Sequence, residues 1–331
     1  MVKDPTDPAD PDLEKRLRLA ADEIGARAEG KVAFKEPLAP FTSFRVGGPA
    51  GVLVEPRAEK DLEVTGAAVA RLGLDVLVLG RGTNVLIGDD GFPGVVIRMG
   101  KGFEWIRAAG DDGVEAGGGA NLPQVANWAR RRGLSGMEFS VAIPATVGGG
   151  VAMNAGAHGS SLSDVLESAR ICHLSEGRTV TLTPDELDMG YRRTAVGAGS
   201  LVCSALFRLQ PGDGAEIAAK MEKYRVHRSD TQPSEAPNAG STFRNPPGES
   251  AGGLIEAAGL KGHRIGGAEV SAKHANFFFA RPGARAQDIF DLMAFVQAEV
   301  HRATGILLVP EVRIIGFFGN AERLRTSPPS P

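Results

Sequence analysis

Short apolar runs alternate with amphipathic stretches along most of the chain. Helical spacing of apolar residues predicts helices over 12–24, 58–73, 121–132, 214–230, 252–259 and 284–303. Uninterrupted apolar runs predict strands over 51–56, 75–80, 94–99, 165–174, 179–183, 201–211, 268–271, 276–280 and 306–318. Gly73 is expected to end the second helix, and Asn121 to cap the third, with Pro123 in its first turn. The strand–helix–strand order at the start favours a mixed α/β layer.

The length of 331 residues suggests two domains, because domains of 100–200 residues are the norm. Pro211-Gly212 is the best candidate for the boundary between them. We therefore predict domains over 12–211 and 212–319. The Asp/Pro-rich residues 1–11 are expected to be disordered, and residues 320–331 to form a mobile tail.

The charge balance argues against binding to nucleic acid, since 37 Lys and Arg residues face 40 Asp and Glu residues. No apolar run approaches the roughly 18 residues that a membrane span needs. The N-terminal stretch MVKDPTDPADP lacks the apolar segment of a signal peptide. We expect a soluble, cytoplasmic monomer that binds neither nucleic acid nor membrane.

The two cysteines, Cys172 and Cys203, both lie in apolar, strand-like runs. Buried thiols are the simpler interpretation, because cysteine is often buried, and one disulfide stays an alternative. The chain has no C-x-x-C motif, and His227, His263 and His301 have no metal-ligand spacing. No metal site is expected.

Glycine is abundant, with 44 residues, about twice the usual ~7%. One cluster is the GRGTN segment, residues 80–84, which directly follows a predicted strand. Its glycines would let successive N–H groups form an anion nest, and Thr83 and Asn84 would add donors suited to a pyrophosphate. The segment is neither a Walker A loop nor a Rossmann fingerprint, and a plain hairpin turn stays open.

A second glycine-rich segment, IPATVGGGVAMNAGAHG, spans residues 143–159. It predicts either a tightly packed turn-helix-turn or a wall that contacts a flat ring system through backbone N–H groups. Two such cradles in one domain favour a dinucleotide such as FAD.

Seven segments in this order resemble the UDP-N-acetylenolpyruvoylglucosamine reductase family. They are FTSFRVGGPA (41–50), GRGTNVLI (80–87), GMEFSVAIPATVGGGVAMNAGAHG (136–159), GYRRT (190–194), NAGSTFRNP (238–246), GGAEVSAKHANFFFA (266–280) and LVPEVRIIG (308–316). Each motif alone is weak, but the ordered set covers about residues 40 to 318 and is specific.

The resemblance implies an α+β fold with a two-subdomain FAD-binding domain of the vanillyl-alcohol-oxidase type over 12–211. A C-terminal α+β substrate-binding domain would follow over 212–319. The short stretch between Arg192 and Ser241 resembles the family's compact subtype. FAD is expected to bind non-covalently to Gly80, Arg81, Gly82, Thr83, Asn84, Val85, Ile143, Pro144, Thr146, Gly148, Gly149, Asn154 and Gly156.

The implied activity is that of a UDP-N-acetylmuramate dehydrogenase. With NADPH as hydride donor and FAD as carrier, the family reduces UDP-N-acetylglucosamine enolpyruvate to UDP-N-acetylmuramate for peptidoglycan synthesis. The resemblance therefore implies a role in cell-wall biogenesis, which affects cell shape and cell division. The resemblance implies that Arg192 holds the substrate carboxylate, that Glu311 pairs or shares a proton there as charge builds, and that Ser241 protonates the carbanion carbon. Substrate contacts are expected from Tyr191, Arg228, Gln232 and Asn245.

Taken without the resemblance, the same residues have simpler interpretations. Arg192 would be a surface residue, Glu311 a strand-edge carboxylate and Ser241 a turn or capping serine. Lys273 and His274 are equally consistent with a functional role and a turn. The chain departs from the family at Ala145, where glycine is usual, and at His158, where tyrosine is frequent. No covalent flavin bond to His158 is expected.

Two rival functions remain on the same fold. One is another flavoenzyme, such as a sugar or hydroxy-acid oxidase, which would not need Ser241 together with Arg192 and Glu311. The other is a flavin-binding relative without activity.

Overall fold

The computed structural model describes residues 10–317 and Leu324. By contact density they fall into two units. The first unit comprises the chain up to Glu36, Ala50–Arg81 and Pro93–Arg228; the second comprises Pro37–Pro49, Gly82–Phe92 and the chain from Ser229 onward. Most of the predicted tails 1–11 and 320–331 lies outside the described residues, and the boundary at 211/212 stays a prediction.

The α-helices lie where the hydrophobic periodicity predicts them, with one addition. They are α1 Leu13–Gly25, α2 Glu59–Leu72, α3 Leu122–Arg131, α4 Val147–Ala152, α5 Gly214–Thr231, α6 Ala251–Ala257 and α7 Ala286–Thr304. The addition is α4, a short helix inside the glycine-rich segment, which agrees with the turn-helix-turn interpretation of residues 143–159. Gly73 ends α2 as predicted, because it adopts a left-handed φ of 58° and its N–H bonds to the Val69 carbonyl.

The strands are short. They are β1 Lys31–Phe34, β2 Ala50–Glu55, β3 Val76–Leu79, β4 Val85–Ile87, β5 Phe92–Arg98, β6 Ile106–Ala108, β7 Gly113–Gly117, β8 Leu134–Ser135, β9 Gly156–Ala157, β10 Ser160–Ser161, β11 Leu166–His173, β12 Arg178–Leu182, β13 Ser200–Arg208, β14 Gln210–Pro211, β15 Arg264–Ile265, β16 Ala268–Val270, β17 Phe278–Ala280 and β18 Arg313–Ile315.

The first unit contains two larger sheets, each with its own apolar core. A four-stranded sheet has the order β1-β2-β5-β3, and its core includes Leu17, Ile24 and Leu62 from α1 and α2. An antiparallel sheet has the order β12-β11-β13-β7-β6, and its core includes Val125 and Phe207. α3 and α4 contribute to that second core, so burial of their apolar faces holds the glycine-rich segment against the sheet.

The second unit is built on a three-stranded sheet, β15-β16-β17, and the long helix α7. Its core contains Phe243, Phe278 and Phe290, which are essentially fully buried. A separate parallel pair joins β4 to β18, with Val85 opposite Arg313.

Two local predictions need correction. Of the predicted strand over 306–318, the described part forms a strand only at Arg313–Ile315. Residue 310 is a proline, which lacks the N–H that a ladder needs, and it forms an isolated bridge with Phe243 instead. Asn121 does occupy the N-cap position of α3, but its side chain donates to the Gln124 side chain and makes no capping bond.

Both cysteines are buried free thiols, as the simpler interpretation had it. The Cys203 thiol donates a hydrogen bond to the Cys172 sulfur, and this lowers the pKa of Cys172 to about 7.

Within the described residues, no three His, Cys, Asp or Glu side chains are grouped so that they would hold a metal ion. None of the described helices has the length and apolar character needed to cross a membrane.

Glu269 on β16, the central strand of the second unit's sheet, is a buried charge. It is 7% exposed and pairs with Arg264 at 2.7 Å and Arg281 at 2.8 Å. The hydrogen bond from Arg281, helped by the positive charges of both arginines, lowers the pKa of Glu269. Its ionised form therefore stabilises the fold.

We predict that Glu269→Gln lowers the free energy of unfolding at pH 7 by about 1–2 kcal/mol. The folded pKa lies below the unfolded value of about 4.3, so this stabilisation is present above pH ~4.3 and disappears as pH falls through the folded pKa. Urea unfolding of wild type and variant between pH 7 and pH 3 should show the two stabilities converging at acid pH. Glu299→Gln, which breaks an exposed pair with Arg302, is the control and should change little. A constant difference at all pH values would contradict the assignment.

Candidate active site

Gly80 and Arg81 follow β3 in the first unit and lie against the glycine-rich segment. A Cβ on Gly80 would stand 2.6 Å from Thr146 Oγ1, so only glycine fits there without displacing Thr146. Arg81 Nη1 donates to Asn121 Oδ1 at 3.2 Å. The first predicted cradle and the second are therefore in direct contact within this unit.

The backbone of the glycine-rich segment is bonded within the protein. Thr146 caps α4, its Oγ1 accepting from the Gly149 N–H at 3.1 Å. The Gly148 N–H donates to the Gly118 carbonyl at 2.9 Å, and the Ala145 N–H donates to the Ile143 carbonyl. A Cβ on Gly148 would stand 3.0 Å from the Gly118 carbonyl oxygen, and one on Gly149 would stand 3.3 Å from Thr146 Oγ1, so glycine at these positions allows close packing within the protein. The half-buried Ile143 and exposed Pro144 precede them.

Asn154 and Arg192 share an uncommon backbone conformation. Their φ values are 41° and 55°, in the left-handed region that costs non-glycine residues energy. Asn154 is held by side-chain bonds to Ser163 and to the Gly190 carbonyl, both at 3.1 Å. Arg192 in turn donates to the carbonyls of Asn154 at 3.4 Å and Gly156 at 3.0 Å. The predicted catalytic arginine therefore contacts the backbone of two residues that are predicted to bind the flavin.

The other first-unit substrate candidates differ in burial. Tyr191 is 59% exposed, and the Arg192 guanidinium carbon lies 5.1 Å from its ring centroid. Arg228 is half-buried, donates to the Ala142 carbonyl, and has its pKa lowered by burial. Arg228 therefore lies next to the start of the glycine-rich segment.

His158, where the family often has tyrosine, packs on helix α5. Its ring stacks on Tyr224 with centroids 3.9 Å apart and meets His227 edge-on. Burial, followed by the nearby charges of His227 and Lys223, lowers the pKa of His158. At neutral pH the ring is accordingly neutral and acts as a packing surface.

In the second unit the rest of the GRGTN loop is tied to the segment that carries Glu311. Gly82 has a φ of 63°, and a Cβ there would stand 2.1 Å from the Phe41 carbonyl oxygen. The half-buried Thr83 follows it. Asn84 Nδ2 donates to the Glu311 carbonyl at 3.1 Å, and Val85 opens β4. Asn84 thus links a predicted flavin loop to a predicted catalytic residue.

Ser241 lies beside the Glu311 segment. Gly240 precedes it with a φ of 75°, and the Asn238 side chain accepts from the Gly240 N–H at 3.0 Å. The following carbonyl, that of Thr242, accepts from the Glu311 N–H at 2.8 Å. The second unit therefore places Ser241 one residue away from a backbone bond to Glu311.

Gln232 and Asn245 are engaged in local structure. Lys273 Nζ donates to the carbonyls of Ser229 at 2.8 Å and Gln232 at 3.2 Å, so this lysine stabilises the end of α5. The exposed Asn245 accepts from the Ala251 N–H at 3.1 Å, where α6 begins. Their substrate contacts stay predictions.

Asn276 is a residue that the sequence analysis missed. It is 2% exposed, and its side chain bonds to both the N–H and the carbonyl of Phe243. The available signal was a lone amide in the otherwise apolar run ANFFFA.

Arg192 belongs to the first unit, and Ser241 and Glu311 belong to the second. The convergence of these three predicted catalytic residues at one site therefore remains a prediction.

Two protein-family models each match part of this chain. Residues 50–183 match the model of an FAD binding domain, and residues 232–315 match the C-terminal domain of UDP-N-acetylenolpyruvoylglucosamine reductase. A reductase of that name, number 2 from Symbiobacterium thermophilum, is 43% identical over 291 residues, covering 88% of this chain and 94% of the relative. The Rubrobacter xylanophilus reductase is 43% identical over 285 residues, 86% of this chain and 95% of its own length.

A solved structure gives the same result. The crystal structure of UDP-N-acetylenolpyruvylglucosamine reductase from Thermus caldophilus has a TM-score of 0.72 and 34% identity, covering 87% of this chain and 99% of that one. These matches confirm the predicted α+β fold class, the FAD cofactor and the oxidoreductase class. The chain belongs to the UDP-N-acetylenolpyruvoylglucosamine reductase family.

Proposed function

We propose that this chain catalyses the NADPH-dependent reduction of UDP-N-acetylglucosamine enolpyruvate to UDP-N-acetylmuramate in peptidoglycan precursor synthesis. The observation that supports the proposal is the backbone bond from the Glu311 N–H to the Thr242 carbonyl, because it joins the segment of the proposed proton donor Ser241 to the segment of the proposed catalytic Glu311. The names of the relatives support the same substrate.

The residues proposed to hold FAD non-covalently fit a flat, anionic dinucleotide. In the first unit, Gly80 allows its loop to lie directly against Thr146 at the start of α4, and Arg81 supplies a positive charge. Gly148 and Gly149 are proposed to contact the flavin from the first turn of α4. In the second unit, Gly82, Thr83 and Asn84 form the turn before β4. The bound FAD would supply the hydride-carrying chemistry between NADPH and the substrate. Ile143, Pro144, Thr146, Asn154, Gly156 and Val85 complete the proposed contacts.

Arg192 is proposed to bind the substrate carboxylate. A guanidinium keeps its charge at any relevant pH and can form two parallel hydrogen bonds to a carboxylate. Its bonds to the carbonyls of Asn154 and Gly156 fix the side chain before substrate binds. This preorganisation stabilises the negative charge that spreads into the carboxylate during reduction.

Ser241 is proposed to donate the proton that completes the reaction. A hydroxyl is a weak acid, but the carbanion carbon is a strong base, so a correctly placed serine suffices. Glu311 is proposed to pair or share a proton at the substrate carboxylate as negative charge builds there. Because Glu311 is bonded through its N–H to the residue after Ser241, the spacing of the two is fixed by the fold.

The remaining assignments complete the proposal. Tyr191, Arg228, Gln232 and Asn245 are proposed to contact the nucleotide-sugar, and Arg228 carries a charge suited to its diphosphate. We further propose that the protein acts as a cytoplasmic monomer, without nucleic acid or membrane as partners.

We predict that Ser241→Ala separates the two half-reactions. NADPH should still bleach the bound flavin, because that step needs no proton from Ser241. Reoxidation by UDP-N-acetylglucosamine enolpyruvate should slow by about 10²–10⁴-fold, the usual contribution of a positioned acid. Anaerobic stopped-flow absorbance of the flavin measures both steps.

Ser234→Ala, at an exposed serine of the same unit, is the matched control and should leave both steps unchanged. An unchanged reoxidation rate in Ser241→Ala would rule out Ser241 as the donor. Oxygen consumption with a hydroxylated sugar, without reoxidation by the enolpyruvyl compound, would instead indicate an oxidase.

The Gly80–Thr146 contact gives a second prediction. Gly80→Ala should displace Thr146, and because overpacking costs about 1–3 kcal/mol, flavin affinity should fall by about tenfold. Thr146→Ala in the same chain removes the clashing Oγ1, so the double variant should regain part of the affinity. Titration of the apoprotein with FAD measures the effect.

Gly214→Ala is the control, since a Cβ there would have no heavy atom within 4 Å. If Gly80→Ala bound FAD as tightly as wild type, Gly80 would not belong to the flavin site.

A further inference from the structure

The backbone next to Ser241 is held by one buried side chain. Asn276 Oδ1 accepts from the Phe243 N–H at 2.9 Å, and Asn276 Nδ2 donates to the Phe243 carbonyl at 2.8 Å. The Asn276 main-chain carbonyl accepts from the Thr242 N–H at 2.8 Å. Three hydrogen bonds thus join one asparagine to the two residues that follow Ser241.

The opposite edge of the same segment bonds to the Glu311 region. The Arg244 N–H donates to the Val309 carbonyl at 2.9 Å, and the Thr242 carbonyl accepts from the Glu311 N–H. Phe243 itself is fully buried, so its N–H and carbonyl have no access to water. Residues 242–244 therefore lie between Asn276 on one edge and residues 309–311 on the other.

We propose that Asn276 is a positioning residue for proton transfer, which fixes Ser241 relative to Glu311 by clamping the backbone of Phe243. The inference rests on the proposed function, in which Ser241 is the proton donor. Asn276 itself touches no reacting atom; it acts through the segment that carries the serine.

The amide is matched to this task because Phe243 presents one donor and one acceptor at a fixed spacing. Only a side chain that offers both an acceptor and a donor satisfies them together. Truncation to alanine leaves two buried backbone groups unpaired, at about 1–3 kcal/mol each. The segment is then expected to move toward other partners, and a misplacement of about 1 Å can cost roughly 10²-fold in rate.

A purely structural role for Asn276 is the alternative. It would lower stability without selectively affecting the proton-transfer step. Glu269→Gln is the matched control, because Glu269 is also a buried polar residue of the second unit but pairs with Arg264 and Arg281. Variants at both positions are expected to be less stable than wild type.

The first experiment measures backbone hydrogen exchange in the apoprotein, which does not depend on catalysis. Asn276→Ala should speed exchange in the peptide containing Thr242 and Phe243 by about tenfold or more. Glu269→Gln should leave that peptide unchanged. Equal exchange in Asn276→Ala and wild type would overturn the proposed clamp.

The second experiment is a double-mutant cycle on flavin reoxidation. Asn276→Ala should slow reoxidation by about 10–100-fold while NADPH bleaching stays unchanged. In the Ser241→Ala background the same substitution should cost little more, because the group that it positions is absent. Additive losses, or an equal slowing of both half-reactions, would overturn the positioning role.

The conservative variant Asn276→Asp tests the donor requirement. Burial favours a neutral carboxyl group, which offers one acceptor and one donor, so the variant should keep most of the reoxidation rate at low pH. The rate should fall as pH rises and the carboxyl group ionises. If Ser241→Ala slows reoxidation and the Asn276 variants do not, the positioning role fails alone; if Ser241→Ala has no effect, the proposed donor fails first.

Discussion

The hydrogen bonds on both edges of residues 242–244 are the constraint on which the candidate site of the second unit depends. Neither neighbouring segment forms a regular strand there. Pro310 has no N–H to donate, and the N–H and carbonyl of Phe243 are bonded by the Asn276 side chain in place of a backbone partner. The segment is therefore defined by a few specific groups, and the position of Ser241 follows from them. Backbone pairing in a regular sheet does not depend on one side chain, whereas the bonds to Phe243 come from the Asn276 amide.

In the first unit the corresponding constraint is strain in the backbone. Asn154 and Arg192 both adopt left-handed φ values, at a cost of about 1–3 kcal/mol for each such residue. Hydrogen bonds from Asn154 to Ser163 and Gly190, and from Arg192 to Asn154 and Gly156, offset that cost. The two strained residues stabilise one another, which is what a fixed guanidinium requires.

Sequence patterns predicted much of the fold because most elements bury one continuous apolar face. They missed β6 and β7, since Gly113–Gly117 reads GVEAG and has no apolar run. They overextended the last strand because apolar content alone does not reveal that Pro310 interrupts the ladder. At the candidate site, the motifs predicted roles for Ser241 and Glu311, but Asn276 and the bond from Asn84 to Glu311 depend on contacts between distant residues. No local pattern encodes such contacts.

The bond from Asn84 to Glu311 connects the turn that is proposed to hold the flavin with the segment that carries a proposed catalytic carboxylate. The parallel pairing of β4 with β18 carries the same link further, because Val85 lies opposite Arg313. A displacement of the turn at residues 82–85 would therefore be transmitted to Glu311 and, through Thr242, to Ser241. Since packed elements shift as units rather than bending gradually, the turn proposed to hold the flavin and the proposed proton donor share one scaffold in the second unit. Under the proposed function, rigidity at that turn therefore serves proton transfer as well as cofactor binding.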